Sequence, residues 1–264
     1  MIYTMMNSDL ILGFDYDKWY GYGEKKPMIT DISEKTNSHI LLCGMSGSGK
    51  SYAVNILFAR ICNAVKQKGI VYFADFKQDD QFLYLRECDR YYPYNSSIDA
   101  LETVYGILHK RQSGEDKTRH PVTLIWDEYM ANILSIQGIE KKKADNIMRK
   151  VSEILMLGRS LSVRLVISCQ RPDAAAFPSG SRLNYGIIIV VGAPIRSIYE
   201  MLITKEYIDE IGEREFGVGE GVVLLQGSQL GFIKIPKIRD AEKMKRVCIN
   251  ALTNEVNVAG VAKP

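Results

Sequence analysis

The sequence predicts an α/β protein: a mostly parallel central sheet flanked by helices, with short N-terminal β elements and a C-terminal β-hairpin. Three observations carry this. Apolar runs from Ile40 to Cys43, Ile70 to Phe76, Val122 to Trp126, Val163 to Cys169 and Ile187 to Val191 alternate with stretches of helical apolar spacing. That alternation builds βαβ units, whose strands are covered on both faces. Polar residues cluster where four of these runs end, at the sheet edge where ligands bind. After Phe216 the texture changes: Gly217, Gly219, Gly221 and Gly227 punctuate Val222 to Leu225 and Phe232 to Ile235, a hairpin pattern.

In chain order, Leu10 to Ile32 is rich in aromatics, Gly and Asp, and reads as short strands or a hairpin rather than helix. Lys50 to Lys66 carries helical spacing and stops before Gly69. Ile98 to Arg111 reads as helix, and so does Asp145 to Leu161, with Ile147, Val151, Ile154, Leu155 and Leu157 on one side. A last helix, Asp240 to Leu252, leads into a loose tail. There is no repeat, low-complexity stretch or linker, so 1–264 is read as one domain: lead-in 1–38, core 39–238, and C-terminal helix and tail 239–264.

Composition sets further bounds. The net charge of +3 is too small to claim a nucleic-acid partner and does not exclude one where charge is clustered. Five scattered cysteines without a C-x-x-C pair read as reduced thiols in a cytoplasmic protein. The three histidines show no metal-binding spacing. No apolar run approaches the ~18 residues that span a bilayer, and the N-terminus lacks the pattern of a signal peptide. Recruitment to a membrane would need a partner protein.

The chemistry begins at Gly44-Met45-Ser46-Gly47-Ser48-Gly49-Lys50-Ser51-Tyr52, directly after a strand and at the start of a helix. G-x-x-x-x-G-K-S in that context is the Walker A loop of a RecA-like P-loop NTPase. Its glycines let backbone amides turn toward phosphate, Lys50 reaches the terminal phosphates, and the Ser51 hydroxyl ligates Mg²⁺. Val122 to Trp126 followed by Asp127-Glu128 fits Walker B. Asp127 would hold Mg²⁺ and Glu128 would polarise the attacking water, or cap the next helix. Gln170, at the end of the next strand, is placed to sense the γ-phosphate. ATP and Mg²⁺ are the expected ligands.

Taken together these strand ends resemble the FtsK/SpoIIIE branch of the HerA-FtsK superfamily, hexameric motors that translocate double-stranded DNA. The likeness runs from Leu12-Gly13 and Asp15 through the P-loop. It continues in Asp75-Phe76-Lys77 (the family has Pro at the middle position) and in Gly158-Arg159 through Gln170-Arg171-Pro172, and ends near Ile238. It implies an ATP-hydrolysing ring around DNA, with an arginine from a neighbouring subunit completing each site. The family's usual arginine stretch is replaced by Gly192 to Ser197, so Arg159 is the first candidate for that role, with Arg182 and Arg196 behind it. The chain is similar in size to a bare motor domain, which by analogy suggests movement of a plasmid, phage or integrative element's own DNA.

DNA contacts would fall on Lys141, Lys142, Lys143, Arg149 and Lys150, or on a second basic cluster at Lys237, Arg239, Lys243, Lys245 and Arg246. Both also read as solvated helix faces. The Arg90-Tyr91-Tyr92-Pro93-Tyr94 run fits packing against the sheet edge better than base stacking. The rival readings are a coupling, secretion or phage-assembly ATPase with a protein load, and a P-loop kinase or switch protein. No LSGGQ-like signature supports an ABC-type ATPase.

Overall fold

Every side chain of the strand that precedes the P-loop is buried, because it lies mid-sheet with a helical layer on each side. The computed structural model describes residues 9–33, 38–65, 69–178 and 180–253. Ten strands form one sheet: β1 (Asp9–Asp15), β2 (Pro27–Asp31), β3 (His39–Gly44), β4 (Ile70–Asp75), β5 (Tyr91–Pro93), β6 (Val122–Asp127), β7 (Val163–Cys169), β8 (Tyr185–Val191), β9 (Glu220–Leu225) and β10 (Gln229–Lys234). Their order is β2-β1-β10-β9-β8-β3-β7-β6-β4-β5. Every pairing from β8 to β5 is parallel. From β8 to β2 every pairing is antiparallel. The C-terminal hairpin and the N-terminal strands therefore extend the central sheet rather than forming a separate layer.

The pleat sends alternate residues to opposite faces. Leu41 and Cys43 of β3 enter one core, with Trp126, Val104, Ile133, Val151 and Ile198. Ile40 and Leu42 enter the other, with Phe58, Phe73, Ile61 and Leu252. The first core is roofed by α3 (Ser97–Gln112), α4 (Tyr129–Ile139), α5 (Lys141–Leu157), α6 (Arg196–Leu202) and α7 (Lys205–Ile211), and the second by α2 (Lys50–Val65) and α8 (Ala241–Thr253). Each large aliphatic or aromatic side chain buried in this way stabilises by about 1.5–3 kcal/mol.

Two expectations need correction. The lead-in is not all β, since α1 (Tyr16–Tyr22) separates β1 from β2. Asp15 caps it by accepting from the Lys18 amide, and Gly23 ends it in the left-handed conformation. The helix expected to run to Leu161 stops at Leu157. At Gly158 a Cβ would lie 2.4 Å from the Val163 carbonyl oxygen and 2.5 Å from that of Ile154. The chain turns tightly there, and that turn leaves Arg159 exposed. Lys66 and the tail beyond Thr253 lie outside the described residues.

Candidate nucleotide site

The P-loop occupies the C-terminal end of β3 and the first turn of α2. Gly49, at φ 87°, faces Val218 and Gly219, where a Cβ would meet Val218 Cγ1 at 3.0 Å. The Gly219 amide donates to the Ser48 carbonyl at 2.9 Å, which ties the loop to the start of β9. Met45, Ser46 and Gly47 are exposed at the tip, and Ser48 is buried. Two buried polar atoms here, Ser48 Oγ and Asp127 Oδ2, have no hydrogen-bond partner among the described residues. A bound nucleotide would satisfy both, phosphate by accepting from the orphaned hydroxyl and its metal by meeting the orphaned carboxylate oxygen.

Lys50 is only 6% exposed and turned inward. Its Nζ lies 2.7 Å from Glu128 Oε1, 3.4 Å from Asp127 Oδ1 and 3.2 Å from Ser168 Oγ. Burial works against its charge, but the two carboxylates outweigh that and hold the ammonium above its ordinary pKa. Glu128 stands at the N-cap position of α4 yet makes no cap bond, and its backbone is left-handed, at φ 52° and ψ 39°. That conformation costs a non-glycine residue roughly 1–2 kcal/mol. The helix-cap alternative for Glu128 is not realised in this structure.

Sequence reasoning missed Ser168. Its hydroxyl donates to Asp127 Oδ1 inside the sheet, where Ser168 is fully buried. A lone serine in an apolar strand gives little signal beyond its odd polarity in a run that pairs with both the P-loop strand and the Walker B strand. Gln170 is exposed just past β7.

Ser51 donates to Asp79 Oδ2 at 3.2 Å. Asp79 lies on the loop after β4, which Asp75 anchors by accepting the Gln78 amide at 2.8 Å. Burial pushes the Asp75 carboxyl up to about 6, and Tyr91 donates to it at 2.7 Å. The tyrosine-rich run therefore does pack at the sheet edge, as β5. Beside the first turns of α2 lies a mostly apolar cleft of about 550 Å³, lined by Tyr52, Val218, Ile235, Ile238 and Met244 among others. The Tyr52 phenol donates to the Pro236 carbonyl at 3.2 Å, fixing the wall of that cleft.

The candidate arginines are divided between the two sheet edges. Arg159 and Arg182 precede β7 and β8, at the edge opposite the P-loop, and line one cleft of about 590 Å³ with His39, Leu183 and Glu200. Arg196 follows β8 on the P-loop edge and pairs with Glu200 at 3.2 Å and Asp209 at 3.7 Å. Among the basic clusters, Lys150 pairs with Glu102 and Arg149 with Glu153, while Lys141, Lys142 and Lys143 are exposed. Lys245 pairs with Glu242 on α8. Among the described residues no helix is long and apolar enough to cross a membrane.

Residues 20–73 match the family model described as "Helicase HerA, central domain". Over 224 residues the chain is 31% identical to the FtsK domain-containing protein YdcQ of Bacillus subtilis, an alignment that takes in 75% of this chain and 45% of the relative. The chain thus spans less than half of that relative's length. Among solved structures, EssC ATPases 2 and 3 from Geobacillus thermodenitrificans superpose with a TM-score of 0.67 at 14% identity, covering 92% of this chain and 48% of that one. The pCW3 conjugation coupling protein TcpA, with ATPγS, gives 0.65 at 19% identity, covering 90% and 68%. The cytoplasmic domain of Thermomonospora curvata EccC gives 0.66 at 17% identity, covering 97% and 33%. These structural likenesses establish the fold.

Proposed function

We propose that this chain, which belongs to the FtsK/HerA-type P-loop ATPases, binds ATP with Mg²⁺, hydrolyses it, and moves double-stranded DNA as a homo-oligomeric ring, a hexamer. Its service would be the transfer of a plasmid, phage or integrative element. The observation that carries the hydrolytic part is the convergence of Lys50, Asp127, Glu128 and Ser168 at the end of β3, with Lys50 in contact with the other three.

In this reading the P-loop amides receive the phosphates, and Lys50 leaves Glu128 to meet the terminal phosphate. Glu128, released, takes a proton from the attacking water. Gln170 senses the γ-phosphate at the end of β7. Ser51 and Asp127 would hold Mg²⁺, which would neutralise charge developing on the β- and γ-oxygens. The orphaned Asp127 Oδ2 and the Ser51 hydroxyl fit that role. The base and ribose would lie in the apolar cleft beside Tyr52, because it is continuous with the P-loop through Val218 and Gly219.

DNA as the load is supported by the FtsK-domain relative and by the resemblance of a coupling protein for conjugation. A protein load is the rival, because EccC, one of the similar folds, is a secretion ATPase. Steady-state ATPase rates, with and without linear duplex DNA across a protein-concentration series, separate the two. Duplex stimulation, with activity rising steeply with concentration, is the expected result. A rate indifferent to DNA and linear in protein would overturn the DNA reading.

A further inference from the structure

A serine that ligates Mg²⁺ through Oγ has one hydrogen to place and two lone pairs to offer. Where that hydrogen goes decides whether a lone pair faces the metal. In this chain the Ser51 hydrogen goes to Asp79 Oδ2 at 3.2 Å. Asp127, the other expected metal residue, has its Oδ1 engaged by Ser168 and Lys50, and its Oδ2 has no partner.

Asp79 is built for more than capping. Its Oδ1 accepts from the Gln81 amide at 3.0 Å and caps the short 3-10 turn that follows. Its Oδ2 is left to Ser51 and to Lys77 Nζ, which lies at 3.1 Å. The supporting loop is over-determined. Gln78 is held left-handed at φ 55°, and the Gln78 and Asp79 amides both donate to Asp75, itself fully buried and bound by Tyr91. Strained backbone of this sort persists where the surroundings fix it, commonly at functional sites. Groups that orient a metal ligand from behind typically change metal affinity 10–100-fold when removed.

We infer that Asp79 is a positioning residue for the nucleotide-bound Mg²⁺: it takes the Ser51 hydrogen, so that the Ser51 lone pairs face the metal, while Lys77 offsets its charge. The inference rests on the reading of Ser51 and Asp127 as the Mg²⁺ seat.

The test is the Mg²⁺ concentration at half-maximal effect on binding of a non-hydrolysable ATP analogue, read by calorimetry and, with Mn²⁺ in place of Mg²⁺, by electron paramagnetic resonance. Asp79→Asn keeps an acceptor for the cap but places an amide donor against Ser51. It should raise the metal midpoint about tenfold or more while metal-free analogue affinity stays within twofold. Asp80→Asn, on the neighbouring exposed residue, should leave the midpoint where it is. In a Ser51→Ala background the effect of Asp79→Asn should vanish, because it acts through that hydroxyl. An unmoved midpoint in Asp79→Asn, or an equal effect with and without Ser51, overturns the inference. An unmodified chain whose analogue binding ignores Mg²⁺ would instead overturn the nucleotide–metal reading beneath it.

Discussion

Lys50 Nζ lies 2.7 Å from Glu128 Oε1, so the cation expected to grip phosphate is held by the carboxylate expected to activate water. The two cannot do both jobs at once. In the proposed mechanism nucleotide binding separates them, and the separation frees Glu128 as the base when phosphate arrives. Glu128→Gln should therefore bind ATP several-fold more tightly, because Lys50 is released, while turnover falls roughly 10²–10⁴-fold. Lys50→Ala should lose binding. It should also melt earlier, by roughly 3–5 kcal/mol, since it strands buried carboxylates. Equilibrium binding and single-turnover hydrolysis check both. Wild-type-like turnover in Glu128→Gln would defeat the mechanism.

Ser168 gives a separate prediction. Its hydroxyl donates to Asp127 Oδ1 and accepts from Lys50. Ser168→Ala leaves a buried carboxylate with one partner fewer, at a cost of about 1–3 kcal/mol. The urea midpoint should fall accordingly, and turnover should drop with little change in metal-free nucleotide affinity. Ser168→Thr, which restores the hydroxyl, should recover turnover. A variant indistinguishable from wild type in both stability and rate would remove Ser168 from the site.

Two buried groups make opposite contributions to acid stability. His39 is buried and accepts from the Leu165 amide, and burial, with Arg164 and Arg159 nearby, lowers its pKa to about 3. A depressed folded pKa gives stability that is present above the unfolded value and lost as pH falls. By pH 5 that loss is about 2 kcal/mol. Asp75, raised to about 6 by burial, binds its proton earlier folded than unfolded. It adds about 1 kcal/mol over the same descent. From pH 7 to 5, Asp75→Asn should lose more stability than wild type, and His39→Asn should hold steady or gain. Urea midpoints at the two pH values test the pair, and identical slopes in all three proteins would refute both assignments.

The five parallel-sheet runs were legible because strands covered on both faces must be apolar throughout, and the P-loop and Asp127-Glu128 stood out as candidates because phosphate chemistry constrains residue type and spacing together. Less was legible where tertiary context decides. α4 entered the sequence reading only as the helix that Glu128 would cap, without bounds, because Tyr129–Ile139 is apolar nearly all round and lacks a polar face to set its period. α6 and α7 are seven residues each, too short for periodicity to register. Asp79 and Ser168 carry no spacing signal. Only the packing of β4 and β7 brings them beside Ser51 and Asp127.

The last prediction follows from which edge each arginine occupies. Arg159 and Arg182 sit where the parallel strands begin, and the P-loop where β3 ends. Six residues at ~3.3 Å each separate those edges by roughly 20 Å, beyond the reach of an arginine side chain. Neither can touch the nucleotide of its own chain, so either must act on a neighbour or not at all. Arg196 follows β8 on the P-loop edge and forms exposed ion pairs with Glu200 and Asp209. If Arg159 serves a neighbour's site, Arg159→Ala should keep nucleotide affinity and lose turnover by about 10³-fold or more. Mixing it with Glu128→Gln subunits should then restore part of the rate, because an intact Arg159 from one variant faces an intact Glu128 from the other. A mixture that stays as inactive as its components, alongside an Arg182→Ala mixture that recovers, would move the role to Arg182. Recovery in neither would remove both from the shared site.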